Sequence, residues 1–290
     1  MKKAPKGAFF NFGKIETMTN LSFTSYPIRN KYEYYLPELQ LFSSYNVGGI
    51  ALKDLNIYTE PSYHDGHSED HRFNTFHCNS ITNHDKAWAI GLELISLLRG
   101  LVTIFCSENE QRFVRLEKMK IEGQSLEYPT YKVNHEIKIR LGLYQILGDN
   151  LNSNLTYTER RDYKEAAKAN VFASSFYIAQ THIGLYLILK YFSEPLTWIS
   201  LYKIMETFMT IEAHHDTNWK IPYSKAEKTR FTNPANDFSM VGIDARHGFK
   251  KLSSLPSTDS EMELAEAKTM FINCAKSYLS FKLDELRKAP

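Results

Sequence analysis

The sequence predicts an α+β protein: an antiparallel, β-rich N-terminal domain over residues 1–150 with one long packed helix, then an α-helical bundle over residues 151–290. Three observations predict it. Apolar residues alternate with period two, broken by Pro, Gly and Asn, within residues 8–80 and again at 113–121. From Thr158 onward the apolar spacing becomes helical. Apolar residues make up 43% of the chain and aromatics 13%, with 18 Tyr and 18 Phe, which is ample for a packed core and argues against a mainly disordered chain.

Taken in order, Phe9, Phe10 and Phe12 begin an aromatic run, and Leu21–Tyr26, Ala51–Tyr58 and Arg72–His77 read as short strands. A helix is predicted from near Thr82, where Thr82 and Asp85 have capping-box spacing. Its stripe is Trp88, Leu92, Ile95, Leu98 and Val102, suited to cover a sheet. Phe113–Ile121 reads as a further strand, and the cluster Gly148–Asn154 as a loop between the domains, with the boundary slightly earlier if Glu136–Ile146 belongs with the second half. Glu159–Ser193 contains no Pro and reads as one long helix or two. Pro195 is placed in the first turn of the next helix, where its missing N–H costs nothing. Ser224–Phe231 reads as a short helix. The last helix carries a capping box at Thr258 and Glu261, acidic residues early and Arg287 and Lys288 late, matching the helix dipole.

Net charge is +2, so the overall balance gives no argument for nucleic acid; only a local basic patch would. Three scattered cysteines, Cys78, Cys106 and Cys274, exclude a CxxC zinc ribbon and a disulfide framework, and fit reduced thiols in a cytosolic protein. The N-terminal stretch has lysines but no apolar core, so no signal peptide is expected. Two apolar runs approach the length of a membrane span. Trp88–Phe105 holds Glu93 and Arg99, and Phe176–Phe192 holds Gln180, His182 and Lys190. A charge at the bilayer centre costs about 2.5–3.5 kcal/mol, so both are expected to be buried helices and no membrane partner is expected.

The chemistry concentrates in Arg230–Lys251, whose centre is Asp244-Ala245-Arg246-His247-Gly248. A guanidinium clamps a phosphate bidentately and an imidazole moves protons near neutral pH. The bland alternative is a surface pair closing a short helix at Gly248. His214 and His215 are adjacent, so at most one faces a given site; they read either as cations at a helix C-terminus or as completing the Arg246 site. His182, among Ile183, Leu185 and Leu187, reads as a satisfied core histidine. His64, His67 and His71 are of metal-ligand type but lack helical ligand spacing, and a solvated loop explains them as well. The chain has no GxGxxG, GxxxxGK[ST] or GxSxG, which removes support for dinucleotide binding, P-loop hydrolysis and α/β-hydrolase chemistry.

The helical half, Arg246-His247 ahead of the final helix, and Asn233-Pro-Ala-Asn236 together resemble HEPN-type domains of bacterial defence and toxin proteins. The layout of a β-rich half with one long helix ahead of the bundle is similar to the ApeA-like group of that family. The resemblance implies a cytoplasmic homodimer joined through the bundle, acting on RNA, with no cofactor and metal-independent endoribonuclease chemistry. The family motif runs Arg, a polar residue, three variable residues, His. Arg246 and His247 match its first two positions, and the sixth is Lys251 rather than His. The resemblance therefore assigns catalysis to Arg246 and His247. It assigns substrate contact to Lys250, Lys251, Asn236, His214 and His215, with His214 or His215 as alternative proton carriers. The other reading it leaves open is a non-catalytic binding or scaffold protein whose first half senses a ligand or partner.

Overall fold

The computed structural model describes residues 30–36, 54–61, 69–106, 116–121, 127–128, 141–247 and 262–289. Its class is α+β, as expected: nine α-helices and a small antiparallel sheet among the described residues. The strands are β1 (Tyr32–Leu36), β2 (Asn56–Pro61), β3 (Glu69–Asn74), β4 (Lys118–Ile121) and β5 (Glu127–Tyr128), ordered β2-β3-β1-β4-β5. Every neighbouring pair is antiparallel. The expected strand Arg72–His77 stops at Asn74, because Thr75 caps a 3-10 turn that takes in His77. Leu21–Tyr26 and Phe113–Arg115 lie outside the described residues, as do Thr258 and Glu261.

Helix α1 (His84–Phe105) lies against this sheet. Its cap is Asn83, whose side chain accepts from the Lys86 N–H at 2.9 Å, in place of the expected Thr82. Tyr34 of β1 stacks on Phe73 of β3 at 4.6 Å and donates to the Ala87 carbonyl at 2.7 Å. Gly91 is what lets the Tyr34 ring come that close: a Cβ there would stand 2.4 Å from it. Alone among the described helices, α1 is long and apolar enough to cross a membrane, and 78% of its apolar window is buried inside the protein.

Helix α2 spans Leu141–Ser153. The cluster read as an interdomain loop is thus the end of a helix. Leu147 and Leu151 are buried, Ser153 Oγ donates to the Asp149 carbonyl, and Asn150 reaches the His77 carbonyl at 2.8 Å. The stretch read as one helix or two is three: α3 (Tyr157–Ala167), α4 (Val171–Ala179) and α5 (Ile183–Phe192). Side chains do the work that Pro would do. Asn170 accepts from the Ala173 N–H at 2.9 Å and His182 Nδ1 from the Leu185 N–H at 3.2 Å, each starting a new helix. Between α4 and α5 the axis turns by 116°.

Pro195 precedes α6 (Trp198–Thr210) rather than entering it, since Thr197 and Ser200 form the capping box. A single π-helical turn follows, Ile211–His215. Helix α7 (Lys225–Asn236) takes in Asn233–Asn236, read from the sequence as a turn. Pro234 lies in the last turn of this helix, and its carbonyl accepts the Asp237 N–H. Helix α8 (Phe238–Val241) leads to a 3-10 turn at Gly242–Asp244, and α9 (Leu264–Lys288) closes the bundle, with Arg287 Nε donating to the Lys168 carbonyl.

One apolar core runs from Tyr32 and Phe73 through α1 to Phe271 and Tyr278 of α9. A smaller cluster joins Phe76, Leu151, Leu155 and Tyr163. Two ionisable groups inside the core meet each other: Lys190 Nζ of α5 lies 2.9 Å from Glu93 Oε2 of α1, and Tyr186 donates to the other Glu93 oxygen.

Candidate functional site

Helices α5 and α6 diverge around a cleft of about 210 Å³, a volume for part of a ligand rather than a whole drug-sized one. Ile183, Gly184, Leu187 and Tyr191 of α5 form one wall. Lys203, Glu206, Thr207 and Thr210 of α6 form the other, since the spacing i, i+3, i+4, i+7 puts them on one helix face. Ile211 and His215 close one end. The Thr207 and Thr210 hydroxyls donate back to the Lys203 and Glu206 carbonyls, leaving only lone pairs for the cleft. Its polar character therefore rests on Lys203, Glu206 and His215.

Arg246 comes to the rim of this cleft from the loop before α9. Gly242 adopts φ +60°, a conformation side chains resist, and turns the chain back. The Arg246 N–H then donates to the Ala235 carbonyl at 2.8 Å, pinning the backbone. The guanidinium lies over the Tyr202 ring at 3.9 Å, and its Nη2 meets Glu206 Oε1 at 2.9 Å. The side chains are 36% and 51% exposed, so this is a surface pair. Arg246 Nε and Nη1 donate to no described residue, and Glu206 Oε2 accepts from none.

At the other end, the π turn projects His215 into the cleft, 6.2 Å from the ring of His182. His182 is fixed on both sides. Nδ1 accepts from Leu185, so the ring proton sits on Nε2, which lies 3.1 Å from Asp216 Oδ2. Burial, with help from the Lys282 ammonium, holds the His182 imidazole below its ordinary pKa and so neutral. Asp216 also accepts from Tyr278 at 2.6 Å and Lys282 at 3.0 Å. Burial works against its charge, but these donors outweigh it and draw the carboxyl below the usual range. With no free lone pair, His182 is a strut, the satisfied histidine the sequence suggested.

Of the residues singled out from the sequence, Arg246 and His215 thus border one cleft. His214 and His247 are exposed, and no hydrogen bond joins either side chain to a described residue. Asn236 ends α7, half-buried, with its Oδ1 unpartnered. Lys250, Lys251, Gly248, His64 and His67 lie outside the described residues. His71 stands in β3, paired with Leu36 and Thr59. Among the described residues no three His, Cys, Asp or Glu side chains gather in a way that would hold a metal ion. Burial pushes the Cys78 and Cys274 thiols up to about 12, which makes neither a nucleophile. Sequence reasoning missed Tyr202 and Glu206. They lie four residues apart on one face of α6, but 40 or more positions from Arg246, and only the tertiary fold brings them to it.

No family model, curated protein or solved structure matches the chain.

Proposed function

We propose that this is a HEPN-like protein acting on RNA, which grips the phosphodiester backbone with Arg246 at the mouth of the α5–α6 cleft. In this reading residues 151–290 are the HEPN-like bundle, joined to a second copy in a homodimer, and residues 1–150 are the β-rich sensing domain. The setting is cytoplasmic defence against phage or a toxin system, and the action is metal-independent.

The observation that carries the reading is the state of Arg246. Its guanidinium is oriented by Tyr202 and Glu206, while Nε and Nη1 donate to no described residue and can receive an incoming anion. An exposed Arg–Glu pair is worth about 0–1 kcal/mol, so a phosphate with two charge-assisted hydrogen bonds competes well with it. Lys203 in the cleft and Lys250-Lys251 next in the chain add attraction for an anionic backbone.

Binding of single-stranded RNA, followed by fluorescence anisotropy over a salt series, tests this. Arg246→Ala should weaken binding at every sequence and reduce the salt slope by about one. Arg246→Lys should recover part of the attraction, since it keeps the charge but loses the fork. Equal affinity and slope in Arg246→Ala and wild type would remove the proposal. Binding without cleavage is the second reading, drawn from Lys251 standing where the family motif has His.

A further inference from the structure

We infer that Glu206 and His215 are the proton-transferring pair of an RNA-cleaving site in the α5–α6 cleft, with Arg246 holding the phosphate between them. The inference rests on the RNA reading above and assigns its chemistry.

The argument begins with elimination. A proton acceptor needs a free lone pair facing the substrate. His182 has none, because Leu185 and Asp216 occupy both ring nitrogens. His247 is exposed and is not among the residues lining the cleft. Glu206 meets the requirement: Oε1 takes the Arg246 proton at 2.9 Å, while Oε2 accepts from no described residue and the side chain lines the cleft. The same contact that orients Arg246 therefore orients a base. His215 lines the same cleft, and its neighbour His182 is locked in place by Asp216, Tyr278 and Lys282 acting together.

Placement supports the pairing. Glu206 lies in α6 and His215 nine positions further on, at the end of the π turn. In-line displacement puts the attacking and departing oxygens on opposite sides of phosphorus. Each then needs a partner about 2.6–3.2 Å away. Glu206 and His215 line the same cleft, so one phosphodiester lodged there meets both.

The step balances without a co-reactant. Glu206 takes the proton of a ribose 2′-OH. The 2′-oxygen forms a bond to phosphorus, and the bond from phosphorus to the 5′-oxygen breaks. Protonated His215 gives its proton to that oxygen. The products are a 2′,3′-cyclic phosphate and a 5′-hydroxyl end. Arg246 neutralises the charge that develops on the non-bridging oxygens.

The test uses the full-length protein with a randomised single-stranded RNA pool in EDTA, followed by one mapped site remade with sulfur as the 5′-bridging atom. At saturating RNA, Glu206→Gln should lower the cleavage rate constant by about 10²–10⁴-fold, the range of a positioned proton transfer, and Glu206→Asp should restore part of the rate. His215→Ala should lose a similar factor on the oxygen substrate. On the bridging-sulfur substrate it should cleave near the wild-type rate, because a thiolate leaves without a proton. Glu206→Gln should stay slow on both. Three results overturn the inference: wild-type protein that binds RNA through Arg246 but leaves the pool intact, Glu206→Gln cleaving at the wild-type rate, or His215→Ala gaining nothing from sulfur. In each case the binding reading stands. Loss of that reading is scored separately, by RNA affinity that ignores Arg246→Ala.

Discussion

His77 is a residue with no outlet. It is fully buried, and neither Nδ1 nor Nε2 has a hydrogen-bond partner among the described residues. Burial alone pushes its pKa down to about 3. Asp54, just before β2, is buried too. It accepts from Gln180 Nε2 at 2.9 Å, yet burial raises its pKa to about 7 against the opposing hydrogen bond from Tyr163. The two act in opposite directions on stability. From about pH 6.5 down to about pH 3 the unfolded chain takes a proton that folded His77 refuses, so His77 makes stability fall as pH falls. From about pH 3.8 up to about pH 7 folded Asp54 keeps a proton the unfolded chain releases, so Asp54 makes stability fall as pH rises. Each slope is about 1.4 kcal/mol per pH unit, and over the shared window they cancel. Urea unfolding of His77→Leu and Asp54→Asn should expose them. Relative to wild type, His77→Leu should lose stability as pH rises through the window and Asp54→Asn should gain it. Parallel profiles for all three proteins would show that neither group changes its proton state on folding.

The same scale shows what a sequence can say about a site. Arg246 and His215 stood out because their side chains carry charge or protons and sit beside turn residues. Glu206 and Tyr202 did not, since a Glu and a Tyr on an amphipathic helix are ordinary until the fold brings a guanidinium to them. Likewise His182 was recognisable as satisfied from its apolar neighbours, but the partners that satisfy it come from the π turn and α9.

Elements were legible where a stripe or a cap marks them. In the α1 stripe Trp88, Ile95, Leu98 and Val102 are buried as their spacing required, while Leu92 is half-buried against the same core. The breaks between α3, α4 and α5 were less legible, because Asn170 and His182 serve as caps in a stretch with no Pro to mark them. Gly100 was silent altogether. In α1 it faces α5, and a Cβ there would lie 2.1 Å from the Leu189 carbonyl oxygen. That obstacle is backbone, so it cannot rotate away as a side chain would. Gly100→Ala should therefore push the two helices apart and destabilise the protein by about 1–3 kcal/mol. The gain in helix propensity, about 1 kcal/mol, offsets only part of this. A midpoint in chemical unfolding at or above wild type would mean that α1 and α5 do not cross at Gly100.

At the scale of the whole molecule, α1 is the shared wall. One stretch of it packs on the sheet through Gly91 and Tyr34, and another packs on the bundle through Gly100 and Leu189. Between them lies the Glu93–Lys190 pair, both side chains about 5% exposed or less. Lys190 is held below its ordinary pKa by burial, against the pull of Glu93. Such a pair adds little net stability but is costly to break, since the survivor is left charged and dry. Lys190→Met alone should destabilise by about 3–5 kcal/mol. Adding Glu93→Gln, which still accepts from Tyr186, should recover most of that loss, because no buried charge is then left unpaired. The route of unfolding tests the wall itself. The chain has three tryptophans: Trp88 lies in α1, Trp198 in α6 and Trp219 beyond the π turn. Fluorine NMR of the labelled protein resolves each one. If α1 joins sheet and bundle into one cooperative unit, all three resonances should lose intensity at one urea concentration, in wild type and in Lys190→Met alike. Trp88 melting well before Trp198 and Trp219 would show that the sheet and α1 come away as a separate unit, and that the contacts at Gly100 and Lys190 are too weak to couple them.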